Sequence, residues 1–203
     1  MTPKTSTSTV TLPEPCLVVL VGAAGAGKTT LATRLFEPDE ILSSDAYRGL
    51  IAGDPADQSA TRAAFAALHR DLARRLARRR TTVVDATNVT AFARRTLLRR
   101  AASHDVPAVA VVLDLEPGLV IARNAARPGR TVPETAVQSQ LRDLARALGS
   151  GAIASEGFAA IHRLRTSAAV DGLVIRRTEV RPSRRRSARS PGPRARCPAR
   201  GAR

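Results

Sequence analysis

Leu17-Val18-Val19-Leu20-Val21-Gly22-Ala23-Ala24-Gly25-Ala26-Gly27-Lys28-Thr29-Thr30 is an apolar run that breaks into glycines and closes on a lysine and two threonines. Five consecutive aliphatic residues read as a short strand buried on both faces. The interval from Gly22 to Gly27-Lys28-Thr29 meets the spacing of a phosphate-binding loop, whose glycines let backbone N–H groups turn inward around phosphate oxygens. A helix starting near Lys28 adds the positive end of its dipole. On this reading Gly22, Ala23, Ala24, Gly25, Ala26, Gly27 and Thr30 cradle ATP, Lys28 reaches its β- and γ-phosphates, and the Thr29 hydroxyl ligates Mg²⁺. The plain alternative, a glycine-rich turn that binds nothing, requires strand, spacing, Lys-Thr pair and helix to coincide without a reason.

The lysine count supports the phosphate loop. Of 33 basic residues only Lys4 and Lys28 are lysines. Arginine replaces lysine almost everywhere except at Lys28, where a slender point charge among phosphates has no guanidinium substitute.

The 203 residues, 43% of them hydrophobic, are one domain's worth and enough to bury a core. No apolar run has membrane-spanning length, and the Thr/Ser-rich start lacks the charged-then-apolar order of a signal peptide. These features predict a cytoplasmic protein without a membrane partner. Cys16 and Cys197 lack metal-ligand spacing and read as unpaired thiols. The formal charge of +16 suggests nucleic acid until it is apportioned: residues 176–203 hold eleven arginines against Glu179 alone. The segment from Arg181 to Arg203 has few apolar side chains to offset ordering entropy, and its composition predicts a disordered tail. Such a tail can hold polyanions without sequence preference, or simply be solvated. Residues 1–15, rich in Thr, Ser and Pro, read as a flexible leader, which leaves 16–180 as the folded domain.

Along that domain, patterning predicts alternating strands and helices. A helix from Lys28 stops before Pro38, and Glu40 to Asp45 gives a short strand. A long helix from Gln58 to Arg80 sets Phe65, Leu68, Leu72 and Leu76 on one face, with Arg70, Arg74, Arg75 and Arg78 solvated off it. Thr82 to Asp85 is the next strand, and Thr90 caps a helix carrying Phe92, Leu97 and Leu98. The run from Ala108 to Leu113 is a buried strand that leads to Asp114. Helices follow over 117–126 and from Pro133 to Gly149, and Ile161–Leu164 and Leu173–Ile175 read as closing strands. The expected fold is α/β: a parallel sheet of about five strands with helices on both faces, a helical lid over about 117–149, and a ligand crevice at the strands' carboxyl ends. Gly22, Asp45, Asp85 and Asp114 each end a strand there.

A phosphate loop specifies a nucleotide and leaves the reaction open. The sequence has neither the Asn-Lys-x-Asp pattern that reads guanine nor the Leu-Ser-Gly-Gly signature of transporter ATPases, and is short for a ring ATPase with its helical domain. A kinase remains, and transfer to an alcohol needs a carboxylate to take the acceptor's proton and cations to hold spreading charge. Asp45 is the candidate base, and Arg48, three residues on, would grip the acceptor or the γ-phosphate. The bland reading makes Asp45 a helix cap and Arg48 solvent-facing. Asp85 would orient Thr29 or hold a metal-bound water, or merely cap the next turn. Arg123 and Arg127 at i and i+4, with Arg130 in the following loop, would close over the ATP phosphates as a lid, although surface arginines abound.

Six stretches occur in the order seen in polynucleotide kinases: Gly22 to Thr30; Leu42-Ser-Ser-Asp-Ala-Tyr-Arg-Gly-Leu; Asp57-Gln-Ser-Ala-Thr; Val83-Val-Asp-Ala-Thr-Asn; Arg123-Asn-Ala-Ala-Arg-Pro-Gly-Arg; and Glu156-Gly-Phe. Over about residues 16–180 the sequence resembles that P-loop family, and most of all the kinase domain of bacterial polynucleotide kinase-phosphatases. The resemblance implies that Lys28 and Thr29 bind ATP and Mg²⁺, that Asp45 activates a 5′-hydroxyl, that Arg48 contacts the phosphate at the reaction centre, and that Arg123 and Arg127 bind ATP phosphates. It implies 5′-OH ends of RNA or DNA as partners. The phosphatase and ligase motifs of the larger family proteins are absent, and with 2% aromatic residues few stacking platforms exist, Tyr47 being the best placed by sequence. Two rivals share the motifs: a small-molecule kinase of zeta-toxin or antibiotic phosphotransferase type, and a non-catalytic nucleic-acid-binding NTP switch.

Overall fold

A computed structural model describes residues 8–52, 61–128 and 131–179. The first strand, β1 (Ser8–Glu14), corrects the sequence reading, because residues 8–14 are strand rather than flexible leader. Val10 and Leu12 alternate with exposed Thr9 and Thr11, a period of two that the Thr/Ser/Pro composition hides. Residues 1–7 and the arginine-rich segment 181–203 lie outside the described residues.

The apolar run is β2 (Leu17–Val21), followed by α1 (Lys28–Leu35), a 3₁₀ turn at Pro38–Glu40, β3 (Ile41–Ser43) and α2 (Ser44–Ala52). Then come α3 (Thr61–Ala77), β4 (Thr82–Asp85), α4 (Ala91–Ser103), β5 (Ala108–Leu113), α5 (Pro117–Ala125) and α6 (Glu134–Gly149). A short α7 (Ala152–Ser155), β6 (Ala160–Leu164), α8 (Ser167–Asp171) and β7 (Leu173–Glu179) complete the described chain.

Among the described residues, five strands form one parallel sheet in the order β3-β4-β2-β5-β6. The central β2 is buried at all five positions, and its side chains divide between two cores. Val18 and Leu20 pack with Leu31 of α1, Val120 of α5 and Val137 of α6. Leu17, Val19 and Val21 pack on the opposite side with Leu68, Leu72 and Leu76 of α3 and Leu97 of α4. The expected parallel sheet with helices on both faces is therefore present, with continuous apolar strands as such a sheet requires.

Two readings differ from the structure. The stretch from Leu173, expected to close the main sheet, is β7, which pairs in parallel with β1 as a separate two-stranded sheet, matching Val10 to Ile175 and Leu12 to Arg177. The helix expected to carry Phe92, Leu97 and Leu98 is present with Thr90 as its cap; Leu97 is buried and Phe92 is 79% exposed, one residue into α4. Arg127 lies beyond α5, whose C-cap is Ala126, and so does not continue the helical face of Arg123. The Gln58 start of the long helix, Asp57-Gln-Ser-Ala and Arg130 fall outside the described residues. No described helix is long and apolar enough to cross a membrane.

Candidate active site

The carboxyl ends of β2, β3 and β4 are neighbours in the sheet, so the residues that follow them converge. After β2 the chain turns through Gly25 and Gly27 at φ of 86° and 92°, left-handed values that L side chains resist. A Cβ on Gly25 would lie 2.3 Å from the Val120 carbonyl, so α5 presses on the loop where only glycine fits. Gly27 starts α1 with no side chain capping it. The first-turn N–H groups consequently remain available to an anion.

Lys28 is buried, and its Nζ donates to the Ala23 carbonyl at 2.8 Å. Burial pulls its pKa down to about 8, opposed by the carboxylates of Asp85 and Asp45 and reinforced by Arg127. Thr29 Oγ1 donates to Asp85 Oδ2 at 2.8 Å. Asp85 is buried at the end of β4, and that burial pushes its carboxyl above the ordinary range against the pull of Thr29 and Lys28. Two hard oxygens so placed suit Mg²⁺, which keeps several waters and needs few protein ligands. Among the described residues, no cluster of three or more His, Cys, Asp or Glu could hold a metal.

The loop after β4 braces the phosphate loop from below. Gly22 N–H donates to the Thr87 carbonyl at 2.9 Å, and the Asn88 amide donates to the Leu20 carbonyl at 2.8 Å. Fully buried Arg94 holds this strap in turn, donating to the Asn88 and Val89 carbonyls at 3.1 and 2.6 Å and to Glu156 through two bonds of 2.6 and 2.7 Å.

Asp45 stands in the first turn of α2. Ser43, the residue before α2, accepts from the Ala46 N–H through its Oγ at 3.5 Å, and Asp45 lies one residue inside the helix. Arg48 is only 6% exposed, not solvent-facing, and is ion-paired to Asp45.

Two cavities meet over the loop. One, of about 410 Å³, is lined by Ala24, Lys28, Thr29, Asp45, Arg48, Asp85 and Gln140 among others. The second, of about 470 Å³, is lined by Gly25, Gly27, Thr30, Arg123 and Asp171, and shares Lys28, Thr29 and Arg127 with the first. Asp114, singled out by sequence at the end of β5, lines neither cavity and pairs with Arg163 at 2.6 Å. Tyr47, the expected stacking platform, lines neither cavity and donates its hydroxyl to Asp71.

Sequence reasoning missed three contributors. Gln140 of α6 accepts from the Ala24 N–H at 2.8 Å. Asn124 of α5 is buried and clamps Val132, donating to its carbonyl at 2.7 Å and accepting from its N–H at 3.3 Å, which ties Val132 to α5 just before α6. Phe65, assigned to the core, also lines the Asp45 cavity. Only Asn124 carried a local signal, as the residue within Arg123-Asn-Ala-Ala-Arg.

A family model described as an AAA domain matches residues 17–149. No curated protein matches the sequence. Among solved structures, a gluconokinase from Sinorhizobium meliloti 1021 is 19% identical over 79% of this chain and 87% of that one, with a TM-score of 0.52. The Pnkp1/Rnl/Hen1 RNA repair complex is 19% identical over 68% of this chain with a TM-score of 0.59, and the match spans 47% of that chain. The AvrRxo1-ORF1:-ORF2 complex with ATP is 13% identical over 76% of this chain and 55% of that one, with a TM-score of 0.57. At these identities the likeness is one of fold, and the fold is that of a kinase-like P-loop domain.

Proposed function

The chain belongs to the AAA domain family, and on the geometry of the site we propose an ATP-dependent kinase that transfers the γ-phosphate to a hydroxyl, the 5′-OH end of RNA or DNA. The carrying observation is the pair of cavities that share Lys28, Thr29 and Arg127, with Asp45 and Arg48 on one side only. ATP occupies the side of Gly27, Thr30 and Arg123, and the acceptor occupies the side of Asp45. The transferred group crosses where the cavities join.

The Asp45 carboxylate takes the proton of the acceptor hydroxyl, whose oxygen attacks the γ-phosphorus in line while the bond to the β–γ bridging oxygen breaks and ADP leaves. Lys28 and Arg127 hold charge spreading over the transferred group, and Arg48 orients Asp45 while presenting its guanidinium to the same cavity. Thr29, and Asp85 through water, would hold Mg²⁺, which supplies further neutralisation of the phosphates. The 5′-OH acceptor rests on the Ser44-Asp-x-x-Arg48 element and its companion motifs, and the RNA repair complex named above shares the fold. A second reading, phosphorylation of a small alcohol, draws on the 410 Å³ acceptor cavity, a size that small ligands occupy.

The test is transfer of labelled γ-phosphate from ATP with Mg²⁺ to 5′-OH RNA and DNA oligonucleotides, beside 5′-phosphorylated strands and an Asp45→Ala protein. Label confined to 5′-OH strands and lost without Asp45 supports the assignment. No label on any strand while ATP still binds defeats the polynucleotide acceptor and favours small alcohols.

A further inference from the structure

A third cavity, of about 420 Å³, lies between α3 and α4 against β4 and is absorbed by none of the roles above. Phe65 lines both it and the acceptor cavity of Asp45 and Arg48, so the two adjoin through one side chain. Its walls are largely apolar: Phe65, Leu68, Phe92 and Leu97, with His69 and Asn88 among the few polar groups. The chain has only four phenylalanines and one tyrosine, and two of these five rings stand here. Phe92 is 79% exposed, which leaves a ring face in water beside a cavity. The Phe65 and His69 rings lie 6.4 Å apart at 35°.

His69 adds a third flat ring to the wall, and its Nδ1 is turned away from solvent with no hydrogen-bond partner among the described residues. Burial first and the Arg100 charge second hold the imidazole below its ordinary pKa, which keeps the ring neutral. α4 also carries exposed Arg95 and Arg99, cationic charge on the helix that walls the cavity.

Flat rings and apolar walls fit an aromatic heterocycle; a phosphate or an open-chain sugar would leave the apolar walls unused. We propose that this cavity receives the 5′-terminal nucleobase of the acceptor strand, stacked against Phe92 and Phe65, while the 5′-hydroxyl of the same nucleotide reaches Asp45. The assignment rests on the polynucleotide reading above and names its specificity element, a base-stacking subsite separate from both the phosphates and the reacting carboxylate.

The test compares two 5′-OH oligonucleotides that differ only in whether the first nucleotide carries a base or is abasic, with wild-type protein and with Phe92→Ala and Phe92→Tyr. Stacking on one aromatic predicts about a tenfold higher KM for the abasic strand in the wild type, with kcat little changed. Phe92→Ala should raise KM for the base-bearing strand by a similar factor and leave the abasic strand within about twofold, and Phe92→Tyr should restore the difference. Equal KM for the two strands in wild-type protein overturns the proposal without any variant. Phe92→Ala raising both KM values alike also overturns it. If wild-type protein labels neither strand, the polynucleotide reading falls and takes the subsite with it, whereas labelling without discrimination removes the subsite alone.

Discussion

Thr29 Oγ1 donates to Asp85 Oδ2 across 2.8 Å, which joins the first turn of α1 to the end of β4 although 56 residues separate them in the chain. The bond aims the Thr29 oxygen and places a carboxylate behind it, as outer partners of a metal ligand do. Asp85→Asn should keep the fold and raise the Mg²⁺ concentration for half-maximal transfer by about 10- to 100-fold. Transfer rates titrated with Mg²⁺ at saturating ATP measure this. An unchanged Mg²⁺ dependence removes Asp85 from the metal site and leaves it a purely structural acid.

Lys28 makes nucleotide binding sensitive to pH in the alkaline range. Burial lowers its pKa to about 8 from 10.5, so in the free protein the ammonium is present below about pH 8 and a neutral amine above it. Phosphates favour the ammonium. ATP binding near pH 8.5 should therefore take up protons, and affinity should fall by as much as about tenfold per pH unit beyond that point. The sign for stability is opposite. Because the unfolded chain binds more protons between pH 8 and 10.5, the cost of burying the charged amine is full below pH 8 and relieved as pH rises through that window. Calorimetric titration of ATP in buffers of different ionisation enthalpy reads the uptake directly, and the absence of uptake would sink the prediction.

Arg94 and Glu156 form an ion pair exposed by 0% and 2%, with both carboxylate oxygens and two backbone carbonyls satisfied by one guanidinium. Removing one partner strands the other charge away from water, which costs about 3–5 kcal/mol. Arg94→Ala and Glu156→Ala should each lose about that amount in urea unfolding, while replacing both with apolar residues of similar volume should lose far less. If the two losses simply add in the double variant, the pair does not act as a unit.

Much of this was legible in sequence where the information is local. Gly22 to Thr30 declares itself because strand, turn and helix start lie within fourteen consecutive residues, and Asp45 with Arg48 because one helical turn separates them. β1 stayed hidden because its Thr, Ser and Pro content suggests a linker, while its order depends on β7 more than 160 residues away. Phe92 was legible as a member of the helix capped by Thr90, but not as an exposed ring beside a cavity, because exposure depends on how far α3 extends past it. The spacing of Arg123 and Arg127 suggested a shared helix; α5 ends between them, and both nevertheless line the second cavity. Phe65 was read correctly as apolar and incompletely as core, because no pattern in one chain says that a side chain divides two cavities.

Gln140 is the contact that no spacing could announce, since 116 residues separate it from Ala24, whose N–H it accepts at 2.8 Å. The bond hooks α6 onto the phosphate loop at the acceptor cavity, which both residues line. A neutral hydrogen bond of this kind contributes about 0.5–1.5 kcal/mol, and its loss frees α6 to move relative to Ala24. Gln140→Ala should therefore lower kcat by about 2- to 12-fold, leave ATP binding nearly unchanged because Lys28 and Thr29 are untouched, and lower folding stability by no more than about 0.5–1.5 kcal/mol. Gln140→Glu keeps an accepting oxygen at the same reach and should recover most of the rate. Steady-state kinetics on the three proteins, with ATP affinity measured separately, distinguish the outcomes. Equal rates in wild type and Gln140→Ala make the contact incidental, whereas a loss confined to ATP affinity moves Gln140 from the acceptor side of the reaction to the nucleotide side.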